Sequence, residues 1–467
     1  MSDINGIMSM AGQALITQQQ AISVTSHNIA NVNTPGYSRQ KLVMSTNIPS
    51  DSAIGPIGNG VSADAIERIY DRFLNARINN ESQELGRWDA QKKAVETLEM
   101  IFNETYGSGL NEAMSEYWNA WQALTNNPAG STERQVLVTR GQILTSTFNK
   151  LDSDLTHSQQ ELDLAIAATV TDVNRLSAQL ADLNQKIVAS ETGTQNANDY
   201  RDQRDLVLKE LSELIDLNAF EDANGNVSVL NASGRPLVSG TASWQLSTEL
   251  NVVSGLQDVV WLDNDGNSVN ISNDISGGKL KGWLETRDVL IPGFLNRLDA
   301  LAQTLVTEVN NLHQTGFDLN GIAGEVFFDG TGTAADIEVN ANIVGDPGLI
   351  AASFDPLPFP SAPGDNRNAV EIAKLQHQLL MSGNTATFND YYSSLVRDVG
   401  NEVLKSDSYY TIQSEMVAQL DNYRESISGV SLDEEMINLI KFQNAYAAAA
   451  KLVSTADELM QTVLQMI

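Results

Sequence analysis

Val430-Ser431-Leu432-Asp433-Glu434-Glu435-Met436-Ile437-Asn438-Leu439-Ile440-Lys441-Phe442 opens a stretch that runs to Ile467 without glycine or proline. Ser431 and Glu434 have the S-x-x-E spacing of a capping box, which predicts a helix start. Leu432, Leu439, Tyr446, Val453, Met460 and Ile467 recur every seven residues. Phe442, Ala449, Ala456 and Val463 hold the second seam position, and only Glu435 breaks the pattern. Such a helix is roughly 54 Å long at 1.5 Å per residue. An ordinary amphipathic core helix would show the same spacing, but so long an apolar seam needs a partner.

The other terminus supplies a matching one. Between Met1 and Ser38 the only charged side chain is Asp3. Met8, Leu15, Ile22 and Ile29 recur every seven, flanked by Ile4, Ile7, Ala11, Ala14 and Ala21. Pro35 ends the helical pattern and biases Thr34 out of the α region, and Pro35-Gly36 suits the centre of a type II turn. Neither terminus can bury its stripe alone, so the two are expected to pair.

Composition narrows the classes. A chain of 467 residues exceeds one compact core. Its net charge of −31, from 59 acidic and 28 basic residues, disfavours nucleic acid and anionic membrane as partners. No apolar run reaches the length of a membrane span, and no basic segment followed by an apolar one marks a cleaved signal peptide. Without cysteine there is neither disulfide nor thiolate chemistry.

Between the termini the chain reads mainly as helix. Ile48-Pro49, Gly55-Pro56 and Gly58-Asn59-Gly60 punctuate a loop or short hairpin, and Val61, Ala63 and Ala65 alternate like a strand. Helical stripes follow, through Leu85–Phe102 and Leu110–Leu124. A long one runs to about Ser190, with a capping box predicted at Thr132/Gln135. Its seam is Leu155, Leu162, Thr169, Leu176 and Leu183, with Ile166, Val173, Leu180 and Ile187 at the offset position, ending at Gly193. A further helix is predicted over 198–217. The charged run Asn198-Asp199-Tyr200-Arg201-Asp202-Gln203-Arg204-Asp205 opens it and reads as a solvated face. Asn224-Gly225 and Asp265-Gly266 are hairpin signals among strand-type residues over 218–280. Helix is predicted to return near Pro292 and to stop at Thr315-Gly316. Residues 317–366 mix glycine and proline, and helical spacing resumes from Asn368.

The architecture expected is mainly α with a β-rich subdomain. A terminal coiled coil takes residues 1–40 and 430–467. A long-helix bundle takes 41–217, 281–316 and 367–429. The β-rich subdomain takes 218–280, and 317–366 is a short irregular outer insertion. No catalytic or metal-ligating arrangement is visible. The four histidines, His27, His157, His313 and His377, are far apart and read as surface or interface residues. Asp263-Asn264-Asp265-Gly266-Asn267 puts its glycine two places too early for a calcium loop and reads as a turn. No catalytic residue, cofactor or metal is expected.

The termini also carry recognisable motifs. His27-Asn28-Ile29-Ala30-Asn31-Val32-Asn33-Thr34-Pro35-Gly36-Tyr37-Ser38-Arg39-Gln40 resembles the N-terminal signature of bacterial flagellar rod, hook and hook-associated proteins. Glu434–Gln443 and Ser454–Met460 resemble that family's C-terminal signature. Asn198–Asp205, and His313–Gly321 followed by Phe327-Phe328, resemble segments of its hook-filament junction members; rod and hook proteins lack both. Larger members carry an outer domain after the phenylalanine pair, where this chain has about forty Gly/Pro-rich residues.

The resemblance implies a structural protein joining hook to filament by self-assembly of its terminal helices. It implies further copies of the chain, the hook protein, the second junction protein and an export chaperone on the C-terminal helix as partners. It also implies an extracellular place in the flagellum, reached without a cleaved signal peptide, and no contact with nucleic acid or membrane. The interface expected is Asn28, Ile29, Asn31, Asn33, Thr34, Pro35, Gly36, Tyr37, Leu432, Leu439, Phe442, Tyr446, Val453, Met460 and Val463. The alternatives are a hook or rod subunit, which shares the termini, and an exported hydrolase.

Overall fold

The computed structural model describes residues 2–49, 51, 55–103, 109–191, 195–222, 224–357 and 364–465. Ile467, Gly193 and Pro358 to Pro363 lie outside them. The fold is mainly helical with small antiparallel sheets, as the periodicities predict. Helix α1 (Ser2–Ala30) leads into a hairpin of β1 (Gln40–Thr46) and β2 (Val61–Arg68). Then come α2 (Arg72–Phe102), α3 (Leu110–Asn126), α4 (Ser131–Ser190) and α5 (Asn198–Leu214).

One sheet holds β3 (Asn218–Glu221), β4 (Val227–Leu230), β5 (Pro236–Ser239) and β6 (Ala242–Ser243). A second holds β7 (Leu246–Leu250), β8 (Gln257–Leu262) and β9 (Ser268–Asn270). The Asn224-Gly225 and Asp265-Gly266 turns close β3–β4 and β8–β9, and Asp222 and Asp263 accept backbone N–H groups across them. Helices α6 (Gly278–Glu285) and α7 (Ile291–Thr315), strands β10 (Phe328–Asp329) and β11 (Glu338–Val339), and helices α8 (Ala341–Gly345), α9 (Arg367–Lys374), α10 (Phe388–Ser428) and α11 (Leu432–Gln465) complete the chain.

The axis of the body is α4, 60 residues long, or about 90 Å at 1.5 Å per residue. Its predicted seam is buried throughout. The partner is not one helix, however. The N-terminal half packs in a core with α3, α7, α9 and the start of α10, around Trp118, Trp121, Phe148 and Phe388. The C-terminal half packs with α5, α6 and both sheets, around Leu180, Leu211, Val229 and Leu237. Helix α4 starts after Gly130 with no side-chain cap, so the capping box expected at Thr132 does not form. Arg134 reaches back instead, its Nε and Nη2 donating to the Pro128 carbonyl at 2.9 and 2.7 Å.

Pro292 stands in the first turn of α7, as expected, but the chain is already helical before it. Helix α6 runs through a π-helical turn, Thr286–Leu290, directly into α7. Proline cannot donate to the carbonyl four residues back, and a wider turn just before it absorbs that loss.

Residues 317–366 were expected to face outward, yet much of the segment lies in the first core. Phe327, Phe328, Ala334, Ile337, Ile343, Ile350 and Ala352 are buried against α3, α4 and α7. The single glycine of α4, Gly141, sits where this segment crosses. A Cβ there would stand 3.1 Å from Val339 Cγ2 and 3.3 Å from Phe327 Cε1. Arg134 is buried and donates from Nη1 to the carbonyls of Pro347, Gly348 and Ile350 at 3.1, 3.2 and 2.7 Å. His313, expected at a surface or interface, is fully buried in the same place. With glycines and prolines supplying irregular backbone, turn hydrogen bonds and buried side chains, more than long strand ladders, satisfy its polar groups.

Candidate functional site: the paired terminal helices

Helices α1 and α11 pack against each other along their lengths. They run antiparallel, since Asn28 at the end of α1 bonds Glu435 at the start of α11. On α11, Ala449 and Ala456 are buried, and Leu439, Phe442, Val453, Met460 and Val463 are half-buried. Leu432 and Tyr446 are exposed. On α1 the small residues Ala11, Thr17, Ala21 and Thr25 are buried deepest, while Met8, Leu15, Ile22 and Ile29 are only half-buried. Small residues let the two backbones approach and push the larger apolar ones to the flanks.

Much apolar surface is therefore left over. Ile7 and Ile16 on α1, and Met436, Ile437, Ile440, Leu452, Leu459 and Leu464 on α11, are exposed. Ile437 reaches 66% and Leu464 64%. Large apolar side chains left exposed in this number along one helix pair mark a surface built to be covered.

The residue that breaks the heptad is the one most tightly held. Glu435 is 2% exposed. Its Oε1 accepts from Arg39 Nε at 2.8 Å and Nη2 at 2.7 Å, and its Oε2 accepts from Asn28 Nδ2 at 3.0 Å. Asn28 also donates to the Gln40 carbonyl at 2.9 Å, and its Oδ1 accepts from the Tyr37 hydroxyl at 2.8 Å and the Gln40 N–H at 2.9 Å. Every donor and acceptor of that buried amide is used. Burial, then the nearby Asp199, Asp202 and Glu435, push the Tyr37 hydroxyl pKa upward, so it stays a donor. Arg39 also pairs with Glu434 at 2.8 Å, and its backbone N–H donates to Ser428 at the end of α10 at 2.8 Å.

The loop between α1 and β1 is shaped for this contact. Tyr37 N–H donates to the Thr34 carbonyl at 3.2 Å, and Gly36 has φ +76. This is the predicted turn around Pro35-Gly36, with glycine where the backbone enters the left-handed region. Asn31 caps the helix end through the His27 carbonyl at 3.0 Å, and Thr34 donates to Asn31 at 3.1 Å. Asn33, Thr34 and Pro35 are exposed, and Ile29 is half-buried on α1.

The charged opening of α5, read from sequence as a solvated face, is the platform on which this loop rests. Asp202 accepts the Ser38 N–H at 2.8 Å, and Asp199 accepts Gln40 Nε2 at 2.7 Å. Arg68 on β2 pairs with Asp202 at 2.9 Å and Asp205 at 2.6 Å. A buried carboxylate, Asp202, and a half-buried one, Asp205, share this guanidinium. Desolvation raises the pKa of both, and for Arg68 the pull of Asp205 and Asp202 outweighs burial and raises it too. Arg39, Gln40, Arg68, Asp199, Asp202 and Glu435 are the residues missed by sequence reasoning. The available signal was Glu435 itself, since a carboxylate at a seam position demands a buried partner.

Among the described residues no group of three or more acidic or histidine side chains could hold a metal, and no helix is long and apolar enough to cross a membrane.

Comparison with known proteins places the chain. The family model described as the flagellar hook-associated protein FlgK helical domain matches residues 95–328. Those for the flagella basal body rod protein and the flagellar basal body rod FlgEFG protein C-terminal region match 8–37 and 423–466, the two paired helices. The chain is 31% identical to flagellar hook-associated protein 1 of Bacillus subtilis over 98% of its own length and 97% of that protein. Identity to flagellar hook-associated protein 1 of Escherichia coli is 26%, over 99% and 100%. The solved flagellar hook junction protein FlgK from Burkholderia pseudomallei shares the fold with a TM-score of 0.68 at 17% identity, covering 75% of this chain and 100% of that one. With family signatures on both paired helices and the body between them, the chain belongs to the flagellar hook-associated protein 1 family.

Proposed function

We propose that this chain is the structural adaptor joining hook to filament in a bacterial flagellum, and that it works by assembly rather than catalysis. The observation that carries this is the apolar surface left on the paired termini, from Ile7 and Ile16 to Met436, Ile437, Ile440, Leu452 and Leu459. One subunit cannot cover it. Ordering the termini costs about 1–2 kcal/mol of backbone entropy per residue. That cost is recovered at roughly 25 cal/mol per Å² when neighbouring copies bury the exposed face. Ordering is thereby tied to the tube, and the soluble subunit is kept from polymerising early.

In this reading the neighbours are copies of the chain in a ring, the hook protein on one side and the second hook-filament junction protein on the other. The half-buried seam Leu439, Phe442, Val453, Met460 and Val463 and the exposed Leu432 and Tyr446 line the packed layer, with the 28–37 turn at its edge. An export chaperone covers α11 before assembly, and the subunit leaves the cell without a cleaved signal peptide.

Deletion of the gene tests the role. Cells with complete hooks and no filaments support it. Cells without hooks indicate a hook or rod subunit, and muramidase activity in the purified protein indicates a wall hydrolase.

A further inference from the structure

The seam between α1 and α11 carries almost no information about alignment. Its deepest positions are small and alike: Ala11, Ala21 and Thr25 on one helix, Ala449 and Ala456 on the other. Among the described residues no ion pair joins the two helices, and Asn28–Glu435 is the only side-chain hydrogen bond between them. A uniform heptad seam tolerates a slip of one repeat, about 10 Å along the axis. Paired helices usually resist this with flanking charges or one polar seam residue. Helix α1 has no flanking charge pairs to offer.

We propose that Glu435, held by Asn28 and Arg39, is the residue that fixes the register and direction of the terminal helix pair. The geometry is specific in three ways. Both carboxylate oxygens are bonded, to groups from two different elements. Asn28 is locked in turn by Tyr37 and Gln40, so it cannot follow a sliding partner. Arg39 is anchored through its backbone to the Ser428 carbonyl and to Ile69 N–H, at 2.8 Å each, so the guanidinium is fixed to the body. A slip of one repeat would bring Phe442 against Asn28 and carry the buried carboxylate away from both partners. Glu435 thus acts through Asn28 and Arg39 as a positioning residue. This rests on the reading of the terminal pair as the packed layer of the assembly, where a uniform register lets every subunit present the same outer face.

The chain has no cysteine, so introduced cysteines report register directly. Extending the antiparallel alignment from Asn28–Glu435 pairs Ala21 with Phe442 and Ala14 with Ala449; Ala21, Glu435 and Phe442 do line one groove. A14C/A449C therefore reports the native register and A21C/A449C a slip of one repeat. Both pairs are built into the full chain, alone and with E435L, and treated with a short thiol cross-linker in purified protein and in isolated flagella. With Glu435 present, the native pair should cross-link in excess of the slipped pair by about tenfold or more. In E435L the ratio should fall toward unity while helix content is kept. E435Q has a single acceptor oxygen and can satisfy either Asn28 or Arg39 but not both, so its ratio should fall between those of the native chain and E435L. R39M/E435L leaves no unpaired guanidinium and is read the same way if E435L accumulates poorly. An unchanged ratio in E435L and in R39M/E435L overturns the proposal while leaving the packed layer standing. Absence of any cross-link with Glu435 present, in both preparations, removes the helix pair itself and with it the assembly reading.

Discussion

Acidification should loosen the body of the protein through one histidine. His313 Nδ1 lies 2.6 Å from the Glu325 carbonyl, and its Nε2 lies 2.9 Å from the Ala351 N–H. The partners dictate the tautomer, with the proton on Nδ1 and Nε2 accepting. A second proton would have to go on Nε2, where an N–H already points. Burial foremost, with Arg134 nearby adding to it, lowers the pKa to about 4 from the usual 6.5. The folded state thus favours neutral imidazole. Its contribution is full above pH 6.5 and is lost as pH falls toward 4. At 1.36 kcal/mol per pH unit the loss is about 3 kcal/mol. Buried or half-buried carboxylates such as Asp202, Asp205 and Asp216 have raised pKa values and shift stability the opposite way, so the measurement is a difference. Urea unfolding of wild type and His313→Leu is compared at pH 7 and pH 4.5. The variant should be the less stable at pH 7, having orphaned two backbone groups at about 1–3 kcal/mol each. The gap should shrink by about 2–3 kcal/mol at pH 4.5. A gap independent of pH would refute the assignment of His313 as a neutral tie.

Three further outcomes follow from named contacts. Gly36→Ala forces a side chain into φ +76 beside Leu206 Cβ at 3.5 Å; it should cost about 1 kcal/mol and raise protease cleavage in 31–40, whereas Gly6→Ala, with open space around it, should not. Arg134→Met strips the Pro128 carbonyl of both guanidinium bonds and leaves the carbonyls of Pro347, Gly348 and Ile350 with only their backbone donors; it should lower stability by roughly 2–3 kcal/mol, read as a shift of the urea midpoint. Removing residues 430–467 should abolish a stoichiometric complex with the cognate export chaperone, and unchanged binding by gel filtration would count against α11 as its site.

Long periodic elements were the legible part of the sequence. The seam of α4, the two hairpin turns, the 34–37 turn and the pairing of the termini all follow from spacing and turn chemistry. What escaped was polar and non-local. Glu435 looked like a fault in the heptad because its partners lie about four hundred residues away in the chain. Asp199 and Asp202 looked solvated because a charged helix face gives no sign that a distant loop will rest on it. Phe327 and Ile350 looked peripheral because glycine and proline hide a segment that packs by side chains rather than by period. Long-range hydrogen bonding leaves no local signature, and here it holds the loop 31–40, the part of the site where the terminal pair meets the body.

The central claim is that the outer face of the paired termini is an assembly surface that folding of the body does not need. Ile437→Asp combined with Leu459→Asp tests it most directly, since both side chains are exposed in the subunit, at 66% and 49%. In the subunit the carboxylates stay hydrated, and stability should change by less than about 0.5 kcal/mol. Between packed copies each loses water without a counter-ion, at several kcal/mol per subunit. Electron microscopy of cells carrying the double variant should show complete hooks without filaments, with the protein secreted into the medium and melting as wild type does. Normal filaments and swimming would contradict the account.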